Sequence, residues 1–420
     1  MPDSPDSANK KVIERISAAA PFLIDVQPAA KVISQLGEWD FLHAGPPLAG
    51  WHEVACGALR GAVLGTLVHN GVAKDLKSAE AIATEDVVRF HSAHDRCALG
   101  TYGGVITAAT PVLVVENRTN NTRAFAALNE GRGKAVRYGS SDAETLSRLA
   151  WLEGEFADLL RTALNLSGGI DIFAILEQAL HMGDDGHSRQ KAASALFTNA
   201  VAPFIVDARF PANQTSRALR FLSQNDIFFL PLTMAAAKSA MVAAEEIAGS
   251  TVVTAIAFNG VRCAIRVSGL CGRWWTAPVP VARGQYFEGY SEADAGPVIG
   301  DSEIAETMGL GAFAMAGAPA LARYVGGTVE EASRMTLDMY AITLAEHPRF
   351  KIPALGYRGT PFCIDVRRVI EKGIAPVFNT GIAHRLAGVG QIGAGYGRVP
   401  LACFASAREA LGKEGIGPSA

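Results

Sequence analysis

Residues that could bind an anion follow a strand-like apolar run in the first third of the sequence. The run at residues 112–115 leads directly into Glu116, Asn117 and Arg118. Polar side chains at the end of a buried strand are held on a rigid support, which suits a binding site. We therefore predict that these three residues contact a small polar substrate.

A glycine-rich turn with cations comes next. Residues 129–134 read Asn-Glu-Gly-Arg-Gly-Lys, and flexible backbone amides beside Arg132 and Lys134 could cradle a phosphate or a carboxylate. The spacing does not match the GxxxxGK[ST] motif of a nucleotide P-loop. A solvated turn is the alternative. As a site, the turn would contribute Asn129, Arg132 and Lys134 to substrate binding.

Two histidines are candidates for proton transfer. His187 follows Asp184 and Asp185 in MGDDGHSR, where a neighbouring carboxylate could tune the imidazole as a general acid or base. The same acidic residues could instead simply cap the next helix. His384 follows Asn379 in NTGIAHR, just before a glycine-dense stretch. We predict catalytic roles for both histidines and substrate contacts for Asn379 and its neighbour, Thr380.

Other histidines give weaker indications. His43 opens the segment HAGPP, which could present backbone groups to a ligand, although by itself it is only a rigid turn. His91, His94 and Asp95 suggest a metal site, but their spacing needs a helix and a further ligand that the sequence does not identify. We therefore include His43 among the substrate-binding candidates and predict neither a metal nor a cofactor.

Composition limits the class of protein. The chain has 420 residues and a net charge of −3, with no concentration of basic residues for a nucleic acid or an anionic membrane. Its apolar runs are shorter than the ~20 residues that cross a bilayer, and its N-terminus lacks the pattern of a secretory signal. The cysteines show no CxxC spacing. These features predict a cytoplasmic protein that binds neither nucleic acid nor membrane.

The pattern of elements predicts an α/β protein of the α+β composite kind, in which two mixed α/β domains flank a small helical domain. Residues 1–20 are predicted to form a short disordered tail, MPDSPDSANKK, and a lead-in helix, and residues 21–141 an N-terminal α/β domain. Amphipathic periodicity indicates a helical domain over 142–248, with Asp142 as the cap of its first helix. Residues 249–420 are predicted to form a C-terminal α/β domain.

Details of the last domain follow from turn and helix signals. The dipeptide Asn259-Gly260 between two apolar runs predicts a hairpin with a type I′ turn. Residues 302–325 are predicted to be helical, with acidic residues near the first turn where the helix dipole favours them. The glycine-dense residues 388–397 are predicted to form an irregular loop.

The motifs HAGPP, VVENRTNNTRAFAALNEGRGK, ALHMGDDGHSR, GSTVVTAIAFNG and NTGIAHR, in this order, resemble the YlbE/YahG-like family over residues 24–410. The resemblance implies one subunit of an oxamate carbamoyltransferase, which interconverts oxalurate plus phosphate with oxamate plus carbamoyl phosphate. It also implies FdrA-like and YlbF-like partner subunits. We further expect a homo-oligomer and a small anionic metabolite as the ligand.

Two other functions are compatible with the same residues. A stand-alone amidohydrolase or lyase-type enzyme could use His94, Asp95, His187 or His384 for acid–base work or for a metal. A non-catalytic scaffold or ligand-binding subunit is the third possibility, because the sequence has no recognisable nucleophile or nucleotide motif.

Overall fold

The computed structural model describes residues 4–85 and 87–416. Helices pack against several small sheets in which most strand pairs are antiparallel. This arrangement confirms the predicted α+β composite. In the described part of the chain, no helix is both long enough and apolar enough to cross a bilayer.

The first part of the chain builds a sheet with the strand order β4-β6-β5-β1-β7, in which β4 and β6 are parallel and the other pairs antiparallel. Strands β2 and β3 form a separate parallel pair. The elements are α1 (Pro5–Ser17), β1 (Pro21–Pro28), α2 (Ala29–Val32), β2 (Asp40–His43), α3 (Gly57–His69), α4 (Leu76–Thr84), β3 (Arg89–Ser92), β4 (Ala98–Leu99), β5 (Pro111–Asn117) and β6 (Thr122–Ala127).

The middle of the chain is helical, as predicted, apart from the short strand β7. A π-helical turn at Leu152–Phe156 joins the first two helices. Asp142 caps α5 as predicted, because its carboxylate accepts the backbone N–H of Thr145 at 2.9 Å. The elements are α5 (Ala143–Trp151), α6 (Ala157–Ser167), β7 (Ile170–Asp171), α7 (Ile172–His181), α8 (Lys191–Asp207), α9 (Ala212–Gln224) and α10 (Leu230–Ala244).

The last part of the chain contains sheets ordered β10-β9-β8-β12 and β11-β16-β15, and the pair β13-β14. The elements are β8 (Val253–Asn259), β9 (Arg262–Val267), β10 (Trp275–Pro278), β11 (Arg283–Tyr286), β12 (Ile299–Gly300), α11 (Ile304–Thr307), α12 (Pro319–Tyr324), α13 (Val329–Met339), β13 (Thr343–Ile352), β14 (Arg358–Ile364), α14 (Val366–Lys372), β15 (Val377–Ala383), β16 (Gln391–Arg398) and α15 (Leu401–Lys413).

The hairpin predicted at Asn259-Gly260 is confirmed by the antiparallel pairing of β8 with β9. Its turn is closed by the Asn259 side chain, whose oxygen accepts the backbone N–H groups of Val261 and Arg262. The two residues between the strands are Gly260 and Val261, and of these only Gly260 has a positive φ, of +83°. The predicted type I′ turn is therefore wrong, because that turn needs positive φ at both central residues.

The helix predicted over 302–325 is also wrong as one element. Only the short helices α11 and α12 form there, separated by a 3-10 segment at Gly311–Gly317. Gly309 and Gly311 have φ values of +80° and +61°, a left-handed conformation that ends an α-helix. All four residues of α11 are buried.

The prediction of an irregular loop over the glycine-dense residues 388–397 is wrong where strand β16 forms. Gly393 and Gly395 lie in this strand beside β11, and a Cβ on either would come within 2.4 Å of a backbone oxygen of β11. The glycines therefore permit a close approach between two backbones, which is another use of a residue without a side chain.

The N-terminal helix starts earlier than the sequence pattern indicated. Helix α1 begins at Pro5, with the Ser4 hydroxyl accepting a backbone N–H of the first turn. Its residues Ala8, Val12 and Ile16 are fully buried. Most of the segment assigned to a disordered tail is thus packed helix, and residues 1–3 lie outside the described residues.

The largest hydrophobic core joins regions that the sequence assigned to different domains. It combines residues of α1 and the first sheet with helices α6 to α10 and with the residues around α11. Helix α10 lies at its centre and packs against β5, β6 and α1. The predicted boundary near residue 142 stays a prediction, but the core is continuous across it.

Candidate active site

Distant parts of the chain meet at one cleft, which we call the central cleft. They include the turn after β6, the turn before α8 and the middle of β15. The cleft has a volume of about 70 Å³, which is room for about five water molecules. It therefore suits a ligand of a few non-hydrogen atoms. Its polar lining includes Asn129, Arg132, Arg137, His187, Ser188 and Thr380.

Arg137 is the buried cation of the central cleft. Its residue is 5% exposed, and its guanidinium donates to the side-chain oxygen of Asn129 at 3.0 Å and to the carbonyl of Gly131. No carboxylate within residues 4–85 and 87–416 forms an ion pair with it. A buried charge without a counter-charge is costly, so an anionic ligand would stabilise this position.

The turn that holds Arg137 is closed by its own polar side chains. The Glu130 carboxylate accepts the backbone N–H groups of Val136 and Arg137, at 2.8 and 3.0 Å. Asn129 accepts the N–H of Gly131, which has a φ of +87°. The glycine-rich turn thus forms a rigid support, and its conformation requires glycine at this position.

Arg132 and Lys134, the cations predicted in this turn, have different positions. Arg132 lines the central cleft and forms an ion pair with Asp226, with Nε 2.7 Å from the carboxylate. Lys134 is exposed and its ammonium lies 3.4 Å from the Asp142 carboxylate, outside the cleft lining. Of the two, the structure brings only Arg132 to the cleft.

His187 also lines the cleft and is paired with a buried carboxylate. Its Nδ1 is 2.9 Å from Oε1 of Glu306, which also accepts the backbone N–H of Ala312. Burial alone would lower the pKa of His187, but the charges of Glu306 and Glu303 raise it to about 9. The ring is therefore an imidazolium at neutral pH, and its Nε2 is the nitrogen left to meet a ligand.

The turn before α8 uses its acidic residue both as a cap and as a support. Asp185 accepts the backbone N–H groups of His187 and Arg189, at 3.0 and 2.8 Å. It also accepts the Asn379 amide at 2.7 Å, and Asn379 in turn accepts the Ser188 hydroxyl at 2.8 Å. Capping and positioning are thus combined, and Asn379 orients Ser188 from beneath the cleft.

A second buried carboxyl lies next to the cleft. Glu303 is fully buried, and its Oε2 is 3.5 Å from the hydroxyl of Ser302, which lines the cleft. Burial raises the pKa of Glu303 to about 7, with the charge of His187 opposing the rise. This carboxyl is therefore partly protonated at neutral pH.

The substrate-binding residues predicted at the end of β5 lie outside the lining of the central cleft. Glu116 pairs with Arg123 on the neighbouring strand, at 2.6 Å. Asn117 is buried and accepts the backbone N–H of Ala20 at 2.9 Å. Arg118 stacks on an aromatic ring of β1 and donates to a backbone carbonyl at 2.7 Å. These contacts tie β5 to its neighbours, and the polar cluster has a structural explanation.

His43 and His384 are also outside the cleft lining. His43 is fully buried, with Nδ1 2.7 Å from the carbonyl of Ala44 and Nε2 accepting the N–H of Leu48. His384 accepts the backbone N–H of Leu386 through Nδ1. Both imidazoles thus hold local turns in this structure, and Thr380 is the residue of the NTGIAHR segment that reaches the cleft.

The residues considered for a metal point to separate partners. His91 lies 3.1 Å from Asp40, Asp95 pairs with Arg266, and the buried His94 lies 3.3 Å from a carboxylate oxygen at residue 301. Within the described residues, no group of three or more His, Cys, Asp or Glu side chains is arranged to hold a metal ion.

Sequence reasoning missed several polar residues in the cleft lining and next to it. Arg137 follows the glycine-rich turn but was not distinguished from other basic residues. Glu303 and Glu306 were assigned to the dipole of a predicted helix, although their spacing of three places both carboxyls on one face of a helical turn. Tyr102, Tyr138 and Tyr324, which also line the cleft, lie in segments without a recognisable motif.

The structure is that of an α+β protein with a small polar cleft lined by Arg132, Arg137 and His187. The family model described as oxamate carbamoyltransferase subunit AllG matches residues 88–302. The chain is 44% identical to oxamate carbamoyltransferase subunit AllG of Escherichia coli K12 over 414 residues, 98% of each protein. It is 42% identical to the uncharacterized protein YahG of the same organism over 407 residues, covering 97% of this chain and 86% of YahG.

A solved structure is equally similar. It is the crystal structure of a conserved protein of unknown function from Enterococcus faecalis V583, with a TM-score of 0.96, 40% identity and 98% of both chains covered. The chain therefore belongs to the AllG family, which confirms the resemblance drawn from its motifs.

Proposed function

We propose that this chain is a subunit of a carbamoyltransferase whose substrate is a small carboxylate carrying an amide, with oxalurate plus phosphate and oxamate plus carbamoyl phosphate as its two sides. Membership of the AllG family supports the enzyme class. FdrA-like and YlbF-like partner subunits, a homo-oligomeric state and a cytoplasmic location complete the proposal.

The buried, unpaired guanidinium of Arg137 is the single observation that supports the binding part of the proposal among the described residues. Each of the four reactants is an anion, and Arg137 presents a buried guanidinium that lacks a carboxylate partner among the described residues. Hydrogen bonds between an arginine and a carboxylate or phosphate are charge-assisted and strong in a buried site. The small volume of the cleft fits oxamate or phosphate, each of which has only a few non-hydrogen atoms.

His187 has the protonation state that the cleavage of a carbon–nitrogen bond needs. In the phosphorolysis direction, a phosphate oxygen bonds to the carbamoyl carbon of oxalurate, and the bond from that carbon to the oxamate nitrogen breaks. The electron pair stays on nitrogen, which must take up a proton because an amide anion is a poor leaving group. The imidazolium of His187, held by Glu306, donates this proton from Nε2. In the reverse direction the neutral imidazole accepts it.

Hydroxyl groups around the cleft can recognise the uncharged part of the substrate. Ser188 is oriented by Asn379, and Tyr102 is oriented by the backbone N–H of Ala383, which it accepts at 2.7 Å. Burial raises the pKa of Tyr102 well above that of a free tyrosine, so its hydroxyl keeps its proton. Ser188 donates its proton to Asn379 and can therefore accept an amide N–H of the substrate, whereas the Tyr102 hydroxyl can donate to a carbonyl or a developing oxyanion.

Binding and turnover test different parts of the proposal. Isothermal titration of the purified chain with oxamate, phosphate and carbamoyl phosphate should show binding that Arg137→Met abolishes. Arg118→Met is the matched control, because it removes an arginine outside the cleft. Circular dichroism would verify that both variants are folded. Affinity that is unchanged in the Arg137→Met variant would overturn the placement of the site.

Turnover is measured as phosphorolysis of oxalurate by the chain with its FdrA-like and YlbF-like partners. His187→Gln should lower the rate about 10²- to 10⁴-fold, as expected for a lost general acid. If the wild-type assembly lacks phosphorolysis and carbamoyl transfer while the chain binds the anions, the function is ligand binding without catalysis. That result would favour the alternative of a non-catalytic subunit.

A further inference from the structure

Two buried carboxyl groups lie on one turn beside His187. Glu303 immediately precedes α11 and Glu306 lies within it, and their spacing of three residues places both side chains on the same face. Both are fully buried. Glu306 contacts Nδ1 of His187, whereas Glu303 has no part in the proton transfer described above.

Glu303 has one unsatisfied oxygen and one that lies near a residue of the cleft lining. Its Oε1 lacks a hydrogen-bond partner among the described residues, and so does Oε2 of Glu306. The other oxygen of Glu303 is 3.5 Å from the hydroxyl of Ser302, a residue of the cleft lining. A buried carboxylate that is not hydrogen-bonded costs several kcal/mol, so the neutral form is favoured at such a position.

The charges around Glu303 limit how many of the neighbouring carboxyl groups can be ionised at the same time. His187, Glu306 and Asp301 act on it directly, and Asp185 acts on the same imidazole. Tyr102 faces Glu303 from the first part of the chain and is neutral. With a single imidazolium to balance them, Glu303 and Glu306 are not both stable as anions.

Asp301 differs from Glu303 in its hydrogen bonds. Its two oxygens each accept a backbone N–H at 2.7 Å, from Gly45 and from Gly100. Glu306 likewise accepts hydrogen bonds from His187 and from a backbone N–H. Glu303 is therefore the carboxyl on which a proton is held most readily.

We propose that Glu303 is a positioning residue that holds a proton and thereby sets how readily His187 releases its own. This inference rests on the proposed function, since it concerns the same imidazole. When Glu303 is neutral, only Glu306 and Asp185 retain the proton on the ring, and His187 is a stronger acid toward the cleft. When Glu303 is ionised, the additional negative charge binds the ring proton more tightly.

The coupling is measurable in the full-length chain without substrate or partners. The imidazole signals of His187 are followed by NMR from pH 5 to pH 10, with His187→Gln to assign them. Wild-type His187 should report two steps, one near neutral pH when Glu303 ionises and one when the ring itself titrates. In Glu303→Gln the first step should vanish, and the ring should bind its proton about tenfold more weakly.

Two further variants make the result decisive. Glu303→Asp keeps a carboxyl and should retain both steps of the His187 titration. This variant also keeps the inference testable if Glu303→Gln folds poorly. Glu53→Gln removes a carboxylate that pairs with Arg262 elsewhere and should leave the His187 curve unchanged. A single-step curve in the wild type, identical in Glu303→Gln, would overturn the inference.

The titration and the enzyme assay separate this inference from the proposed function. In the assembled enzyme, Glu303→Gln should move the alkaline limit of phosphorolysis to lower pH, in parallel with the NMR curve. Coupled titration without any carbamoyl transfer would sink the proposed function and leave the inference standing. If the enzyme is active but Glu303→Gln leaves the His187 titration unchanged, the inference is overturned and the proposed function stands.

Discussion

At the scale of single residues, the cations that line the central cleft differ in how their charges are balanced. His187 has Glu306 and Arg132 has Asp226, whereas Arg137 donates only to uncharged oxygens. A buried anion should therefore gain most from Arg137. Arg132 is half-exposed and already neutralised, so its attraction for a ligand is weakened by its own partner.

The neutralising effect of Asp226 can be tested by removing its charge. Asp226→Asn should leave Arg132 free to face the cleft and should tighten binding of oxamate or phosphate about two- to fivefold at low ionic strength. The gain should shrink in 0.5 M salt, because half-exposed charges are screened. Titration calorimetry at both salt concentrations measures the effect.

A control with the same change in net charge is Asp158→Asn, whose carboxylate pairs with Arg161 on α6, outside the cleft lining. It should leave anion binding unaltered. Equal gains from the two variants would mean that net charge, rather than the release of Arg132, controls the affinity.

Single residues also mark where sequence reasoning reaches its limit. Asn129 and Arg132 were found because glycines and cations occur together in a short segment. Arg137 was not, since its importance comes from the absence of a counter-charge among side chains brought in from elsewhere. The Asp226 that pairs with Arg132 is 94 residues away along the chain, and no local pattern encodes such a pairing.

At the scale of elements, the π-helical turn between α5 and α6 connects the helical region to α3. Glu153 in this turn lies 2.7 Å from Nε2 of His69, the last residue of α3. The hydrogen bond that Glu153 accepts from the imidazole raises the pKa of His69, against the effect of burial. An inserted residue in a helix reorients the side chains that follow it, which allows such a contact.

This pair should make stability depend on pH. Because the pKa of His69 is raised on folding, its contribution is fully present below the unfolded value near 6.5 and is lost as pH rises through the folded value. Glu153→Gln should therefore lower the free energy of unfolding by about 1 kcal/mol at pH 6 and by less at pH 9. Urea denaturation at the two pH values measures the difference.

Glu155 provides a control in the same turn, since its carboxylate accepts the indole N–H of Trp151 and does not touch a histidine. Glu155→Gln should lower the free energy of unfolding by the same amount at pH 6 and at pH 9. If the cost of Glu153→Gln were equally insensitive to pH, the raised pKa of His69 would not contribute to folding.

Strand β16 allows a second test at this scale. A methyl group at Gly395 would lie 2.4 Å from the carbonyl oxygen of Arg283 on β11, so one backbone would have to move. Gly395→Ala should destabilise the protein by about 1 to 3 kcal/mol through overpacking. Thermal or urea unfolding at fixed pH gives the value.

Gly412→Ala is the matched control, because no heavy atom of the described chain outside its own helix lies within 4 Å of the added methyl group. In helix α15 this change should be neutral or stabilising, by up to about 1 kcal/mol. Destabilisation by both variants would indicate a general intolerance of alanine rather than a close approach of β11 and β16.

At this scale the sequence predicted helices of the middle region well, since their apolar period is strong and their caps are local. It was wrong at β16 and at residues 302–325. In these two segments the glycines fit a local pattern for a loop or for a helix. Their actual role depends on a backbone that approaches from another part of the chain. Only the assembled structure contains that information.

At the scale of the whole molecule, the central cleft depends on the shared core. Residues from the turn after β6, the turn before α8 and strand β15 meet there, and each is supported by elements of different predicted domains. Helix α10 illustrates the dependence, because 13 of its 15 residues are buried. A helix that is apolar on all sides requires neighbours around its whole circumference.

The predicted boundaries can therefore be tested with a fragment. Residues 142–248 on their own would keep α5 to α10 but would expose the faces of α10 that pack against β5, β6 and α1 in the full chain. We expect this fragment to show reduced helicity by circular dichroism and no cooperative unfolding transition, because much of the apolar area that stabilises it has no partner. The full chain should unfold this region together with the first sheet. A fragment with native helicity and a sharp transition would instead establish the helical segment as an autonomous domain and show that the continuous core is a docking interface.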